Sequence, residues 1–195
     1  MTYSRDQQTS STVTVGHVIG GSFGMAFIID NSGPMPMAIR VVFIAGAVTA
    51  MALTLIAFGR AAANGSLAQP DRTGERFNRQ YWVIVAIEVV ALFGGMAVLN
   101  RWQPTAIVGW IALVVGLHFF WLARIWSSGA REITLVATGL AVLGAAGLTI
   151  AFTTGSLGAV ALISGVGSGV VLLASSLTGA VKSLSGARTP QSPQQ

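Results

Sequence analysis

The sequence predicts an all-α fold: a polytopic transmembrane bundle of six helices with both termini cytoplasmic. Three observations predict it. Only 9% of the 195 residues are charged, where a soluble domain carries roughly a quarter. Hydrophobic residues make up 53%, and mean hydropathy is +0.71. Apolar runs of about 20 residues, the length that crosses hydrocarbon as a helix, recur along the whole chain.

Polar breaks separate the runs. The start, MTYSRDQQTSSTVT, lacks the basic, apolar and small-residue order of a signal peptide, so residues 1–12 are expected to be an uncleaved cytoplasmic tail. The first span covers residues 13–29 and stops at DNSGPMP, where Asn, Gly and two prolines break a helix. The second covers 37–58, and a basic cytoplasmic loop, 59–80, leads to the third at 81–99. NRWQP makes a tight turn, with Pro104 suited to the first turn of the fourth span, 104–126. The fifth covers 133–152 and the sixth 157–177, closing a membrane domain over 13–178. Residues 179–195, rich in Ser, Pro and Gln, are expected to be a disordered cytoplasmic tail.

Orientation follows from the basic residues. With six spans, Arg5, Arg60, Arg72, Arg76, Arg79, Arg124, Arg131, Lys182 and Arg188 fall on one side, against Arg40 and Arg101 on the other. The positive-inside rule puts the richer side in the cytoplasm of a bacterial cell membrane. Trp82 and Trp126 then mark the inner interface and Trp102 the outer one. The net charge of +5 is thereby topology, not a nucleic-acid footprint. Arg72, Arg76, Arg79 and Arg124 are expected to meet anionic lipid headgroups, the bilayer being the one partner the sequence implies.

Small residues mark helix contacts. Gly16, Gly20 and Gly24 form a stripe on the first span, and Ser164, Gly165, Ser168 and Gly169 repeat the device on the sixth. Such spacing lets backbones approach closely, since lipid supplies no hydrophobic force between helices. Packing within the chain is the expected use, with a homo-oligomer through the first span as the sharper alternative. Asp30 and Arg40 flank the first turn on the outer side and are expected to pair there as a structural clasp.

Glu88 and His118 are the ionisable groups well inside spans, with His17 nearer an end. At a rise of about 1.5 Å per residue, Glu88 lies about 10 Å and His118 about 12 Å from the inner face. Similar depth on antiparallel neighbours makes them a candidate pair. Three uses follow for it: an interhelical clasp, the titrating site of a proton- or ion-coupled transporter, or, with His17, haem or metal ligation in a redox protein. The clasp is the leading reading, with no cofactor.

The stretches FNRQYWVIVAIEVVALFGG and VVGLHFFWLARIW, with GGSFGMAFIIDNSGPMP before them, resemble a group of small six-span integral membrane proteins of the actinobacterial type. The resemblance covers the first two-thirds of the chain, includes Glu88 and His118, and implies the fold without an activity. A proline expected after the two phenylalanines is replaced by Trp121, which removes an expected kink. Two enzyme motifs are missing: no HExxH and no Walker lysine motif occur, and GVGSG at 165–169 lies within an apolar span without the lysine. With no cysteine, thiol chemistry is excluded as well. The sequence therefore reads as a non-enzymatic membrane protein.

Overall fold

The structure is a computed structural model whose described backbone covers residues 10–63, 79–125 and 130–186, with side chains described over 16–63, 79–125 and 130–182. The described residues are helical apart from their connections. Helix α1 is Ser10–Asn31, α2 Met37–Ala63, α3 Arg79–Trp102, α4 Ile107–Ile125 and α5 Ala130–Thr154. The last element, α6, is a composite of a first turn, Leu157–Val160, a π-helical stretch, Ala161–Val166, and a long α-helical limb, Gly167–Gly186. Five of the helices, α2 to α6, are long and apolar enough to cross a membrane.

Several boundaries differ from the sequence expectation. Helix α2 continues through Ala63 and α3 starts at Arg79, so both ends of the expected 59–80 loop are helical. The limb of α6 continues to Gly186, past Gly179 where the tail was expected to be disordered. Amphipathic contacts outlast the apolar run here: Ala180 is buried against Ala57 and Phe58. Helix α1 already begins at Ser10, within the expected tail, and residues 1–9, Arg72, Arg76, Trp126 and Arg188 lie outside the described residues.

The turns have local causes. Gly155, at φ 65°, takes the left-handed conformation that ends α5, and its N–H donates to the carbonyls of Ile150 and Ala151 at 3.2 Å. Ser156 then caps α6, its Oγ accepting from the Ala159 N–H at 3.3 Å. Between α3 and α4 a 3₁₀ turn, Pro104–Ala106, carries proline at its start. Gln103 Nε2 donates across this turn to the Ala151 carbonyl at 2.6 Å, tying it to the end of α5.

The helices form two sets. Helices α1, α2 and α6 surround Ile28, Ala47, Val166 and Leu173 at one level and Ala57, Phe58 and Ala180 at another. Helices α3, α4 and α5 form the second set, in which α4 and α5 make the most extensive contact of the molecule. That contact rests on glycine. A Cβ on Gly109 would meet the Leu148 nitrogen at 2.8 Å, one on Gly116 the Ala137 carbonyl at 2.9 Å, and one on Gly144 the Gly109 carbonyl at 2.8 Å. The α5 contact face is Ala137, Leu140, Gly144, Gly147 and Ala151, all buried, a regular three-then-four spacing.

The π-helical stretch joins the two sets. Its extra residue per turn brings Ser164 and Gly165 to face different neighbours. Ser164 Oγ donates to the Leu143 carbonyl of α5 at 2.7 Å and fills the space that a side chain at Gly147 would need. Gly165 receives Asn31 from the end of α1.

The first-span stripe needs a correction. Gly24 packs tightly, a Cβ there meeting the Gly169 carbonyl at 2.8 Å, but a Cβ at Gly16 or Gly20 would meet nothing within 4 Å on neighbouring helices among the described residues. The face of α1 packed on α6 is His17, Gly21, Gly24 and Ile28, because a helix returns to one face by alternating steps of four and three, and a strict spacing of four drifts off it. Ser176 occupies the gap at Gly21 and donates to the His17 carbonyl at 2.6 Å.

Alanine at Gly24 or Gly144 must push two backbones apart, and we expect each to cost about 1–3 kcal/mol in thermal unfolding of the detergent-solubilised protein. Alanine at Gly16 or Gly20 should leave the melting temperature within error. An equal loss at all four positions would show that the stripe packs as a unit.

Candidate functional site

Helix α3 presents one stripe to α4: Tyr81, Ile84, Val85, Glu88, Ala91, Leu92, Gly95, Met96 and Leu99 are its less exposed residues. They recur every three or four positions, as one face of a helix requires. No residue of α3 is fully buried, and Trp82, Ile87, Val90, Phe93 and Trp102 point outward, each more than half exposed. Trp82 and Trp102 lie about 30 Å apart along the axis, the thickness of a bilayer core.

Two polar contacts cross from this stripe to α4. Trp110 Nε1 donates to the Ala91 carbonyl at 3.0 Å, and its indole fills the space that a side chain at Gly95 would occupy. Two turns further along α4, His118 Nδ1 stands 3.1 Å from Glu88 Oε2. The register is that of antiparallel neighbours: as α3 steps back from Gly95 to Glu88, α4 steps forward from Trp110 to His118. The His118 ring also meets Phe119 edge-on, with centroids 6.0 Å apart.

The pair is close without being a formed hydrogen bond. Nδ1 is buried and makes no bond in line with its N–H direction, although the carboxylate oxygen lies within hydrogen-bonding range. The side chains keep 18% of their surface open at Glu88 and 10% at His118, so the pair sits at the edge of the α3–α4 seam rather than in a sealed core. Chemically, such an arrangement can hold two helices together, and it can pass a proton between carboxylate and imidazole once the ring turns slightly.

His17 belongs elsewhere. It stacks on Phe58 of α2 with centroids 6.2 Å apart and lies against Gly179 of α6. His17 is thus housed in the α1–α2–α6 set and His118 in the α3–α4–α5 set, which does not bring them to one ligand. Among the described residues no group of three or more His, Cys, Asp or Glu is placed to hold a metal ion.

Asp30 and Arg40 correct another expectation. Among the described residues two acid–base side-chain contacts fall within pairing distance, Glu88–His118 and Glu132–Lys182, and neither involves Asp30 or Arg40. Helix α1 carries on past Asp30 to Asn31, which leaves the carboxylate exposed on the last turn while the chain reverses through residues 32–36. Backbone and short side chains hold the turn instead: Ser32, fully buried, donates to the Ile29 carbonyl at 3.3 Å, Asn31 to that of Phe27 at 2.9 Å, and the Met35 N–H to that of Ser32 at 3.0 Å.

Arg124 is exposed and lies over the Trp121 ring, 5.4 Å from its centroid. Trp121 thus supports a cation, and α4 runs through it without a break. Sequence reasoning missed Trp110, Gly95, Gln103 and the Glu132–Lys182 pair between α5 and α6. An indole facing glycine on the adjacent helix was legible as a size match, but only once the register was known.

Cysteines replacing Glu88 and His118 together should crosslink efficiently with a short bifunctional thiol reagent in the otherwise cysteine-free chain. A His17→Cys, His118→Cys protein should give no intramolecular product. Efficient crosslinking of the second pair would place all three residues at one site.

Comparison with protein-family models, with curated proteins and with solved structures finds no match for this chain.

Proposed function

We propose that this chain is a six-span integral protein of the bacterial cytoplasmic membrane, both termini inside, in which Glu88 and His118 clasp α3 to α4. The observation that carries the clasp is the sparse packing of α3: among the described residues its main contacts are with α4 and the turn before it, and it buries no residue fully. In lipid, apolar surface gives no preference for helix over acyl chain, so the Glu88–His118 and Trp110–Ala91 contacts supply what orients α3. The basic ends of α3 and α4, with Arg79 and Arg124 exposed, support an inner interface rich in anionic headgroups. The protein is read as non-enzymatic.

A second reading has its own support. The 3.1 Å approach of Oε2 to Nδ1, with the imidazole uncommitted to an aligned bond, suits a proton-coupled carrier that uses the pair as its titrating site. The two readings part on flux. For the clasp, Glu88→Gln and His118→Gln each lower stability by about 1 kcal/mol or less and leave proton-driven movement across liposomes unchanged. Flux abolished by Glu88→Gln at an unchanged melting temperature would establish the carrier instead. Topology is checked separately: Gly33→Cys should react with an impermeant thiol reagent added to intact cells, whereas Arg131→Cys should react only after the membrane is opened.

A further inference from the structure

We propose that the seam between α5 and α6, at the end bearing the N-terminus of α5, is a binding site for one anionic phospholipid. A groove of about 520 Å³ runs there between the two helices. Its cause is a mismatch in side-chain size: α5 contributes Leu135 and Val136, whereas α6 contributes Ala174, Ser175 and Thr178, which are too small to meet them. Further along, Val171 closes onto Gly139 and ends the gap, a Cβ at Gly139 falling 3.3 Å from it. The groove opens outward, since Leu135, Ala174 and Thr178 are exposed.

Its chemistry is divided along its length. Away from the mouth the lining is mostly apolar, with Leu135, Val136, Val171 and Ala174, as an acyl chain requires. The mouth carries Arg131, Glu132 and Lys182. Lys182 reaches Glu132 in an ion pair, and Arg131 meets no carboxylate among the described residues, so the mouth bears a net positive charge. The first turn of α5 adds the positive end of its helix dipole at the same point. A phosphate beside Arg131 and Lys182 with one acyl chain along Leu135 and Ala174 satisfies both halves. A zwitterionic lipid fills the groove equally well but brings its own cation to a positive mouth. Charge complementarity therefore selects an anionic headgroup.

The inference rests on the bundle being seated in a bilayer, and the test separates the two. Carbonate-washed membranes are assayed first: release of the protein into the wash overturns the membrane reading itself. The detergent-purified full chain is then stripped of lipid and titrated with phosphatidylglycerol, phosphatidylcholine or soluble glycerol phosphate, with bound lipid counted by native mass spectrometry. One phosphatidylglycerol should bind in preference to phosphatidylcholine, and glycerol phosphate should not compete. Each of Arg131→Gln and Lys182→Gln should cut the preference about five-fold, as one basic charge near an anionic surface is worth. Ala174→Phe should block binding of both lipids at this site by filling the groove. Glu132→Gln provides a gain of function that no folding defect can mimic: it frees Lys182 and should strengthen phosphatidylglycerol binding about five-fold. Equal retention of the two lipids, competition by glycerol phosphate, or no gain in Glu132→Gln would overturn the proposal.

Discussion

Close approach of backbones at glycine is the constraint on which the rest of this bundle depends. Gly109 and Gly116 on α4 face Gly144, Gly147 and the Ala137 carbonyl on α5 so tightly that no Cβ fits at any of the four glycines. With both helices at that distance, Ser164 on the π-helical stretch of α6 reaches the Leu143 carbonyl, and Gly165 takes in Asn31 from α1. One row of absent side chains thereby sets the position of α4, α5, α6 and the end of α1. Dispersion and short hydrogen bonds do this work where lipid is as apolar as the helices themselves.

The same logic explains what is loose. Helix α3 lacks such a row apart from Gly95, and it lies on the outside of α4 with an indole and an acid–imidazole contact to orient it. The α5–α6 seam has glycine-scale packing at Ser164 and Gly139, yet opens toward Arg131 and Lys182 where small residues oppose leucine and valine without meeting them. Tight and open stretches of one helix pair are thus the two outcomes of a single variable, the summed size of facing side chains. The polar groups follow that division: the Glu88–His118 pair sits at a loose seam, and the ionic mouth at an open one.

Much of the fold was legible in the sequence because hydropathy is a local property. Runs of about 20 apolar residues and the breaks at DNSGPMP and NRWQP can each be read without knowing any neighbour. The candidate Glu88–His118 pairing came from depth alone, since a tight turn between antiparallel helices makes the distance from the turn a shared coordinate. Rotation about the helix axis carries no such coordinate. The Gly16, Gly20, Gly24 stripe was read at a spacing of four, whereas the crossing with α6 selects Gly21 and Gly24. Asp30 and Arg40 were matched by proximity in sequence, but Asp30 lies on the last helical turn and the reversal is held by Ser32 and Asn31.

By itself, then, the sequence determined that the chain is a set of long apolar helices, roughly where they begin and end, and which ionisable groups share a depth. These are consequences of local composition and of a fixed helical rise. Only the tertiary structure decided which faces meet: α4 on α5 through glycine, Trp110 into the space at Gly95, His17 and His118 in separate helix sets, and the groove at Arg131 and Lys182. Those choices depend on the angle and distance at which whole helices cross, and crossing is fixed by side-chain size summed over both partners, a quantity that no single stretch of sequence contains.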